Sequence, residues 1–174
     1  MTKFITPRLQ ILSKILILCS ICMMSFGQFI NKKWPEAQLI TPNGPPIKVS
    51  WAISITEKVN GLSNLESKKM NKDQGLVFFY TKDQDRVFWM PETFFNLDII
   101  FLDKNFKVVG LEENIKHFKK RAPDNDIPRT KAHYSRHVLE LHAGQAKKLG
   151  LKKGITLKWK NPNKVKSLLK SFAK

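Results

Sequence analysis

One stretch decides the fold of this chain: VFWMPETFFNLDIIFL, from Val87 to Leu102. Apart from the N-terminal segment it is the most apolar part of the sequence, and two polar residues, Thr93 and Asp98, lie within it. An apolar run that is interrupted by a proline is typical of two buried strands joined by a bend. We therefore predict core strands at both ends of the stretch, a bend at residues 91–96, and neighbouring segments packed around them.

The first 27 residues have the features of an export signal. Three basic residues precede or border an apolar run at residues 15–24, and the small residues up to Gly27 predict cleavage before Gln28. The run is shorter than the roughly 20 residues of a membrane-spanning helix, and an uncleaved anchor is the alternative. Both cysteines, Cys19 and Cys22, lie in this segment, so we expect no disulfide or thiol chemistry in the mature chain. The protein is expected to be exported, to the periplasm or outside the cell.

The charge of the chain is strongly positive, with 31 Lys and Arg against 14 Asp and Glu, a formal +17. Cleavage of residues 1–27 removes three basic residues and no acidic residue, which leaves +14. For an exported protein this charge favours an anionic envelope component (a lipid headgroup, lipopolysaccharide or an acidic glycan) or a partner protein, over nucleic acid. A diffuse, solvated lysine surface without a ligand is the alternative.

Most of the remaining chain has the pattern of short strands. Residues 47–56 alternate apolar and polar side chains, which predicts a strand with one buried face. Further strands are predicted at residues 76–80, 86–90, 97–102, 106–111, 137–141 and 155–159. One short helix is expected at residues 143–149, stopped by Gly150. The pattern predicts a mostly-β fold, a β-sandwich or barrel with one short helix and a C-terminal amphipathic helix, and we expect a monomer.

These elements divide the chain into four parts. They are the signal (1–27), an extended proline-containing leader (28–46), the β domain (47–160) and a basic amphipathic C-terminal helix (161–174). Within the β domain, residues 57–75 are predicted as a long loop anchored by Leu62, Leu65 and Met70, and residues 112–132 as a second long loop over the sheet.

Several short motifs in a fixed order make the chain resemble a known family. They are Gly61-Leu62, Gly75-Leu76-Val77-Phe78, Phe88-Trp89-Met90 with Thr93, Leu97 to Phe101, Val138 to Leu141 with Ala143-Gly144, and Leu149-Gly150-Leu151 with Gly154. Over about residues 48–159, this combination resembles domain of unknown function 192 (uncharacterised protein family 0127). The resemblance implies a small, mostly-β, commonly exported domain with a jelly-roll-like arrangement, and it brings no established activity. The chain departs from the family's pattern at Ser63, Leu76, Glu92 and Asn96, and Glu92 changes the charge that a shared ligand would meet.

Asp98 lies between apolar residues of a predicted core strand, where a carboxylate must be paired or hydrogen-bonded. The favoured interpretation is structural: Asp98 accepts hydrogen bonds from backbone N–H groups or from the Thr93 hydroxyl and fixes the bend. The functional alternative is a carboxylate in a pocket floored by Trp89 and Met90, with Glu92 as its partner in hydrolysis of a cell-envelope polysaccharide. No phosphate loop or nucleophile motif accompanies this pair, so catalysis is the second hypothesis.

Three histidines, the C-terminal helix and one basic loop each have a functional interpretation and a purely structural one. His133 and His137 have a metal-ligand spacing only on a helix, and on a strand His137 and His142 point to opposite faces. We therefore expect solvated histidines, with no metal and no other cofactor. The C-terminal helix either docks on the β domain or touches a membrane surface through its apolar stripe.

The loop around residues 117–121 interleaves an aromatic side chain with positive charge, which suits phosphate or sulfate groups. A solvated loop is the alternative. The leading hypothesis is a non-catalytic, exported binding module for an anionic envelope component or a partner protein. Its predicted binding residues are Trp89, Thr93, Asp98, Phe118, Lys119, Lys120 and Arg121.

Overall fold

The structure, a computed structural model, describes residues 37–120 and 126–172. The predicted signal at residues 1–27 lies outside the described residues, as does Arg121. The strands are β1 Gln38–Ile40, β2 Ile47–Ala52, β3 Gln74–Phe78, β4 Gln84–Arg86, β5 Leu97–Leu102, β6 Val108–Ile115, β7 His133–Ser135, β8 His137–His142 and β9 Lys158–Trp159. The helices are α1 Ile55–Asn60, α2 Gln145–Lys148 and α3 Pro162–Phe172, with a short 3-10 helix at Ser67–Lys69.

Seven strands form one sheet in the order β6-β5-β8-β3-β2-β1-β9, and β4 pairs with β7 in a second, two-stranded sheet. Only β2 and β3 run parallel among the paired strands of the described residues. Backbone hydrogen bonds join the two edges of the large sheet, near the start of β6 and just before β9. The Val108 N–H donates to the Ile155 carbonyl (2.7 Å), and the Leu157 N–H donates to the Phe106 carbonyl (3.0 Å). The sheet therefore curls into a half-barrel.

The mostly-β prediction is thus confirmed, whereas the jelly-roll arrangement and the amphipathic character of the C-terminal helix stay predictions. Strand β1 lies within the segment predicted as a leader and is a member of the large sheet. In α3, Val165 is 3% exposed. Such burial is what we expect if the C-terminal helix docks on the β domain. No helix of the described residues is both long and apolar enough to cross a membrane.

The core covers both faces of the large sheet. On β5, Ile100 and Leu102 belong to one apolar cluster, while Leu97, Ile99 and Phe101 belong to another. Successive side chains of a strand point to opposite faces, so alternate residues enter different clusters. Strands β3, β5 and β8 are consequently buried at every position, which explains why apolar residues on these strands face both sides of the sheet rather than one.

The prediction of one strand over residues 47–56 is wrong at its end. Strand β2 stops at Ala52, and α1 starts with a capping box in which the Glu57 N–H donates to Ser54 Oγ (3.2 Å) and the Ser54 N–H donates to Glu57 Oε2 (2.9 Å). Ile55, expected on the buried face, is 82% exposed. The Ser-x-x-Glu signal of a helix start decides the local structure here, since it satisfies two backbone donors at once.

Other segments depart less from the predicted pattern. The strand expected at residues 86–90 is shifted, because β4 ends at Arg86 and Trp89 makes one isolated bridge to Arg129. The second predicted loop is shorter at its start, because β6 continues to Ile115, and it is followed by a strand that was not predicted, β7 at His133–Ser135. The anchors predicted for the first loop, Leu62, Leu65 and Met70, are all buried as expected.

The prediction of solvated histidines is wrong for two of the three. His137 and His142 are 6% and 2% exposed, and they do point to opposite faces of the sheet. The His142 ring hydrogen-bonds through Nε2 to the Met70 carbonyl (2.7 Å). The His137 ring stacks on Phe106, with 4.8 Å between ring centres. Neighbouring aromatic rings, including Phe95 beside His142, therefore cover both histidines.

Burial lowers the pKa of His137 from 6.5 to about 4, and the nearby cations of Arg136 and Arg86 act in the same direction. The folded state therefore favours the neutral ring, and the unfolded chain binds more protons between these two values. We expect the His137 contribution to be complete above pH 6.5 and to fall by about 3 kcal/mol of unfolding free energy on going to pH 4.

Urea unfolding between pH 7.5 and pH 4 checks this expectation. The variant His137→Leu should show a flatter dependence of unfolding free energy on pH than the wild type, because its side chain cannot be protonated. Comparing the two proteins removes the contributions of His142 and of all other groups that titrate in both. Equal slopes for the two proteins would contradict the assignment.

Candidate functional site

Residues 88–93, between β4 and β5, are held on one side by the predicted basic loop. Thr93 and Phe118 exchange both backbone hydrogen bonds, at 3.0 and 3.1 Å, and the Glu92 N–H donates to the Lys120 carbonyl (3.1 Å). The sequence gives no periodic signal for this pairing, which depends on the two segments meeting in three dimensions. It brings together Trp89, Thr93 and the basic loop, as the predicted binding site requires.

On the other side, the same segment pairs with the residues that precede β7. The Met90 N–H donates to the Pro128 carbonyl (3.2 Å), and Trp89 forms an isolated bridge with Arg129. The Arg129 guanidinium lies 5.7 Å from the centre of the Trp89 ring. Because Trp89 is 48% exposed, its indole and the neighbouring Arg129 guanidinium are both in contact with solvent.

A cavity of about 110 Å³ opens beside this segment. Its more exposed lining residues are Lys58, Val59, Tyr80, Val87 and Trp89, and its buried lining residues include Leu62, Phe78, Thr93, Leu97 and Glu140. Pockets that enclose a drug-sized ligand measure at least about 300 Å³. The cavity therefore admits one small group of a ligand, and the remainder of a larger ligand must lie across its mouth.

Charged side chains surround the Tyr80 ring at this cavity. The Lys58 ammonium lies 4.5 Å and the Arg86 guanidinium 3.4 Å from the ring centre. Burial lowers the pKa of Lys58, and the charge of Arg86 lowers it further. Burial raises the pKa of Tyr80 and Glu140 adds to this rise, although the charge of Arg86 and its hydrogen bond to Tyr80 act in the opposite direction. At neutral pH the Tyr80 hydroxyl therefore keeps its proton and can donate a hydrogen bond.

Asp98 does not take part in this site. It is fully buried, its Oδ1 accepts from the Asn114 N–H (2.9 Å) and its Oδ2 accepts from the Ala146 N–H (2.9 Å). Asp98 lies one residue after Leu97, which lines the cavity, and successive strand residues point to opposite faces. The carboxylate therefore ties β5 to β6 and to α2 on the far face of the sheet.

The hydrolase hypothesis through Asp98 and Glu92 is contradicted by this geometry, because a sealed carboxylate cannot share an open cleft with a second one. The structural interpretation of Asp98 is correct that backbone N–H groups donate to the carboxylate, but it is wrong about the segments to which these groups belong. The donors are backbone N–H groups of β6 and α2 rather than of the bend, and the Thr93 hydroxyl donates to the Pro91 carbonyl (3.3 Å) instead.

Three cavity residues escaped the sequence reasoning: Lys58, Tyr80 and Glu140. The signal for Glu140 was present, since it is the one charged residue in the apolar strand that β8 forms, and it is 5% exposed. Nothing in the sequence marks Lys58 among many lysines. Of the predicted loop residues, Lys119 and Lys120 are exposed. The described residues hold no group of three His, Cys, Asp or Glu side chains arranged to bind a metal.

Comparison with known proteins identifies the relatives of this fold. The family model DUF192, described as "Uncharacterized ACR", matches residues 38–159. A crystal structure from Sinorhizobium meliloti 1021, described as a "putative transcription regulator", is 25% identical, with a TM-score of 0.56, covering 71% of this chain and 91% of that one. A protein of unknown function from Novosphingobium aromaticivorans DSM 12444 is 23% identical, with a TM-score of 0.56 and coverage of 71% and 83%. No curated protein matches the chain significantly.

Replacing Asp98 tests its structural role. In Asp98→Ala two buried N–H groups lose their acceptor, and we expect a loss of about 3 kcal/mol of unfolding free energy, since each orphaned donor costs about 1–3 kcal/mol. Asp98→Asn should lose less, because one acceptor oxygen remains. The measurement is urea unfolding at pH 7, with exposed Asp85→Ala as a matched control that changes stability little. An Asp98→Ala protein as stable as the control would overturn the role.

Proposed function

The chain belongs to the DUF192 family, which is uncharacterised, and we propose that it is a non-catalytic, exported module that binds an acidic glycan of the cell envelope. One observation carries the proposal: the backbone pairing of residues 88–93 with two other segments. It places the exposed Trp89 indole at one cavity and joins that segment to Arg129 and to the loop that carries Lys119 and Lys120. We assign Trp89, Thr93, Phe118, Lys119 and Lys120 to this surface as its proposed binding residues.

The charges on the segments that pair with residues 88–93 favour an anionic ligand. Lys119 and Lys120 are exposed next to the strand-like pairing with Thr93, and Arg129 lies over the Trp89 ring. Such solvent-exposed cations attract polyanions at long range, and salt weakens the attraction. This charge accounts for the attraction of anions in general, so the choice among anions depends on the indole and the cavity.

The indole and the cavity favour a glycan over a membrane. The C–H face of a sugar ring removes apolar surface from water when it packs on an aromatic ring such as Trp89. A single ring substituent also matches a cavity of about 110 Å³. The flat surface of a lipid bilayer would lie over Trp89 without filling the cavity, so the cavity would have no occupant.

Binding to polygalacturonate, a polymer of acidic sugar rings, tests the proposal. We expect the wild-type protein to bind it with an affinity that falls as salt increases, because exposed charges are screened. The variant Lys119→Glu/Lys120→Glu should bind about tenfold more weakly at low salt, since two attractive contacts become repulsive. Equilibrium titration followed by tryptophan fluorescence measures the affinities.

The matched control is Lys152→Glu/Lys153→Glu, which makes the same change of charge at two exposed lysines outside the segments that pair with residues 88–93. Equal loss in both variants would show that total charge alone binds the polymer, and would overturn a defined site. Vesicles of phosphatidylglycerol and duplex DNA are competing probes, the DNA because one structural relative is described as a transcription regulator. Tighter binding to either, with the same dependence on Lys119 and Lys120, would also overturn the proposal.

Export is part of the proposal, supported by the basic start and the apolar run of residues 15–24. When the full-length chain is produced in a Gram-negative bacterium, we expect the intact mass of the periplasmic protein to correspond to residues 28–174. The variant Leu16→Arg/Leu18→Arg should stay in the cytoplasm uncleaved, because it places charge in the apolar run. A cytoplasmic wild-type protein that keeps Met1 would contradict export.

A further inference from the structure

The backbone of Trp89 has two hydrogen-bonding groups that its pairing with Arg129 leaves unused. The hydrogen bonds of this bridge are made by the flanking residues, from the Thr130 N–H to the Phe88 carbonyl (2.9 Å) and from the Met90 N–H to the Pro128 carbonyl (3.2 Å). In an antiparallel pair of this type the two central residues direct their own N–H and C=O groups away from each other. Among the residues that the structure describes, neither group of Trp89 has a hydrogen-bond partner.

This unpaired edge faces the cavity. Trp89 lines the cavity and residues 58–63 form its opposite wall, whereas residues 128–130, on the paired side of Trp89, do not line it. Just past Trp89 the edge is occupied, because the Ser63 hydroxyl donates to the Pro91 carbonyl (2.8 Å) and the Asn64 N–H donates to the Glu92 carbonyl (2.8 Å). The open length of backbone is therefore short, and it suits one polar group of a ligand better than a whole added strand.

We infer that this edge binds an acetamido group, so that the preferred ligand is an acidic glycan whose sugar units carry N-acetyl substituents. The Trp89 N–H donates to the acetamido carbonyl, and the Trp89 carbonyl accepts from a hydroxyl of the same sugar. Both groups of the backbone are then satisfied, as buried or partly buried peptide groups generally are. This inference rests on the proposed function, and it adds the substituent that enters the cavity.

The size and the lining of the cavity agree with this substituent. A volume of about 110 Å³ admits one small group and no second sugar ring. Leu62, Phe78 and Leu97 line its buried part, where the methyl end of an acetamido group is removed from water. A carboxylate or a sulfate in the same place would lose its hydration next to the Trp89 carbonyl, which is a second acceptor. The acetamido group is neutral and avoids this cost.

Two oligosaccharides of equal charge test the inference: a trimer of N-acetylneuraminic acid, and the same trimer with a hydroxyl in place of each acetamido group. We expect the wild-type protein to bind the acetamido trimer about tenfold more tightly, because a hydrogen bond and a buried methyl group are added. Titration calorimetry measures both affinities.

Equal affinities for the two trimers, or no binding of either, would overturn the inference. Salt-dependent binding of polygalacturonate through Lys119 and Lys120 would then still support the proposed function. A protein that binds neither the trimers nor polygalacturonate would overturn the proposed function as well.

A pair of variants on α1 tests whether the cavity receives the acetamido group. Val59 is 55% exposed and lines the cavity, whereas Ile55 is 82% exposed on the same helix and does not line it. We expect Val59→Phe to reduce the preference for the acetamido trimer to about twofold or less, because the larger side chain narrows the cavity. The matched control Ile55→Phe should keep the tenfold preference. The same preference in both variants would overturn the inference.

A second pair of variants isolates the backbone donor. Trp89→Ala and Trp89→Pro both lose the indole, but only the proline also lacks the N–H, which the bridge to Arg129 does not use. We expect Trp89→Ala to keep the preference for the acetamido trimer and Trp89→Pro to lose it. A folded Trp89→Pro protein with an unchanged preference would overturn the inference. Unfolding curves establish folding, and if Trp89→Pro does not fold, the comparison of Val59→Phe with Ile55→Phe decides.

An extended peptide is the competing occupant of the same edge, since it also pairs through backbone groups. The probe is an amide-capped Glu-Ala-Glu peptide, which has an acidic charge and one small apolar side chain. We expect it to bind more weakly than the acetamido trimer, because the open edge is short. Tighter binding of the peptide, with the same loss in Val59→Phe, would assign the edge to a protein partner and overturn the inference.

Discussion

Coverage of the large sheet on both faces is the constraint on which the rest of the structure depends. Every side chain of β3, β5 and β8 is buried, so each polar group on these strands must find a partner inside the protein. Asp98 finds two backbone N–H groups, and His142 finds a backbone carbonyl. These polar groups therefore also fix how β6, α2 and the loop before β3 lie against the sheet.

Two carboxylates on neighbouring strands show how the same constraint has different results. Asp98 accepts one hydrogen bond from the Ala146 N–H at the start of α2 and one from the Asn114 N–H of β6. Glu140 faces the opposite side of the sheet, where it is 5% exposed and lines the cavity. The direction in which each side chain leaves its strand thus separates a carboxylate that joins β5 to β6 and α2 from one that lines a cavity.

Much of the candidate site was predictable in its parts but not in its assembly. Trp89, Thr93 and the basic loop were marked by an aromatic, a polar residue in an apolar run, and a cluster of positive charge. Their meeting depends on hydrogen bonds between segments about 25 residues apart in sequence, Thr93 with Phe118, and no local pattern encodes such a pairing. Glu140 was visible as a charge in an apolar strand, whereas Lys58 was hidden among many lysines.

The sequence by itself determined the kind of fold, because hydrophobic periodicity and turn residues act locally and recur along the chain. It also determined the family, because the family's short motifs occur in the sequence in their fixed order. Only the tertiary structure decided which polar residues lie close together. Asp98 and Leu97 are adjacent in sequence but point to opposite faces, and Lys58 and Glu140 are distant in sequence but line one cavity. Strand alternation and the packing of segments from far along the chain fix these positions, and both depend on the complete fold.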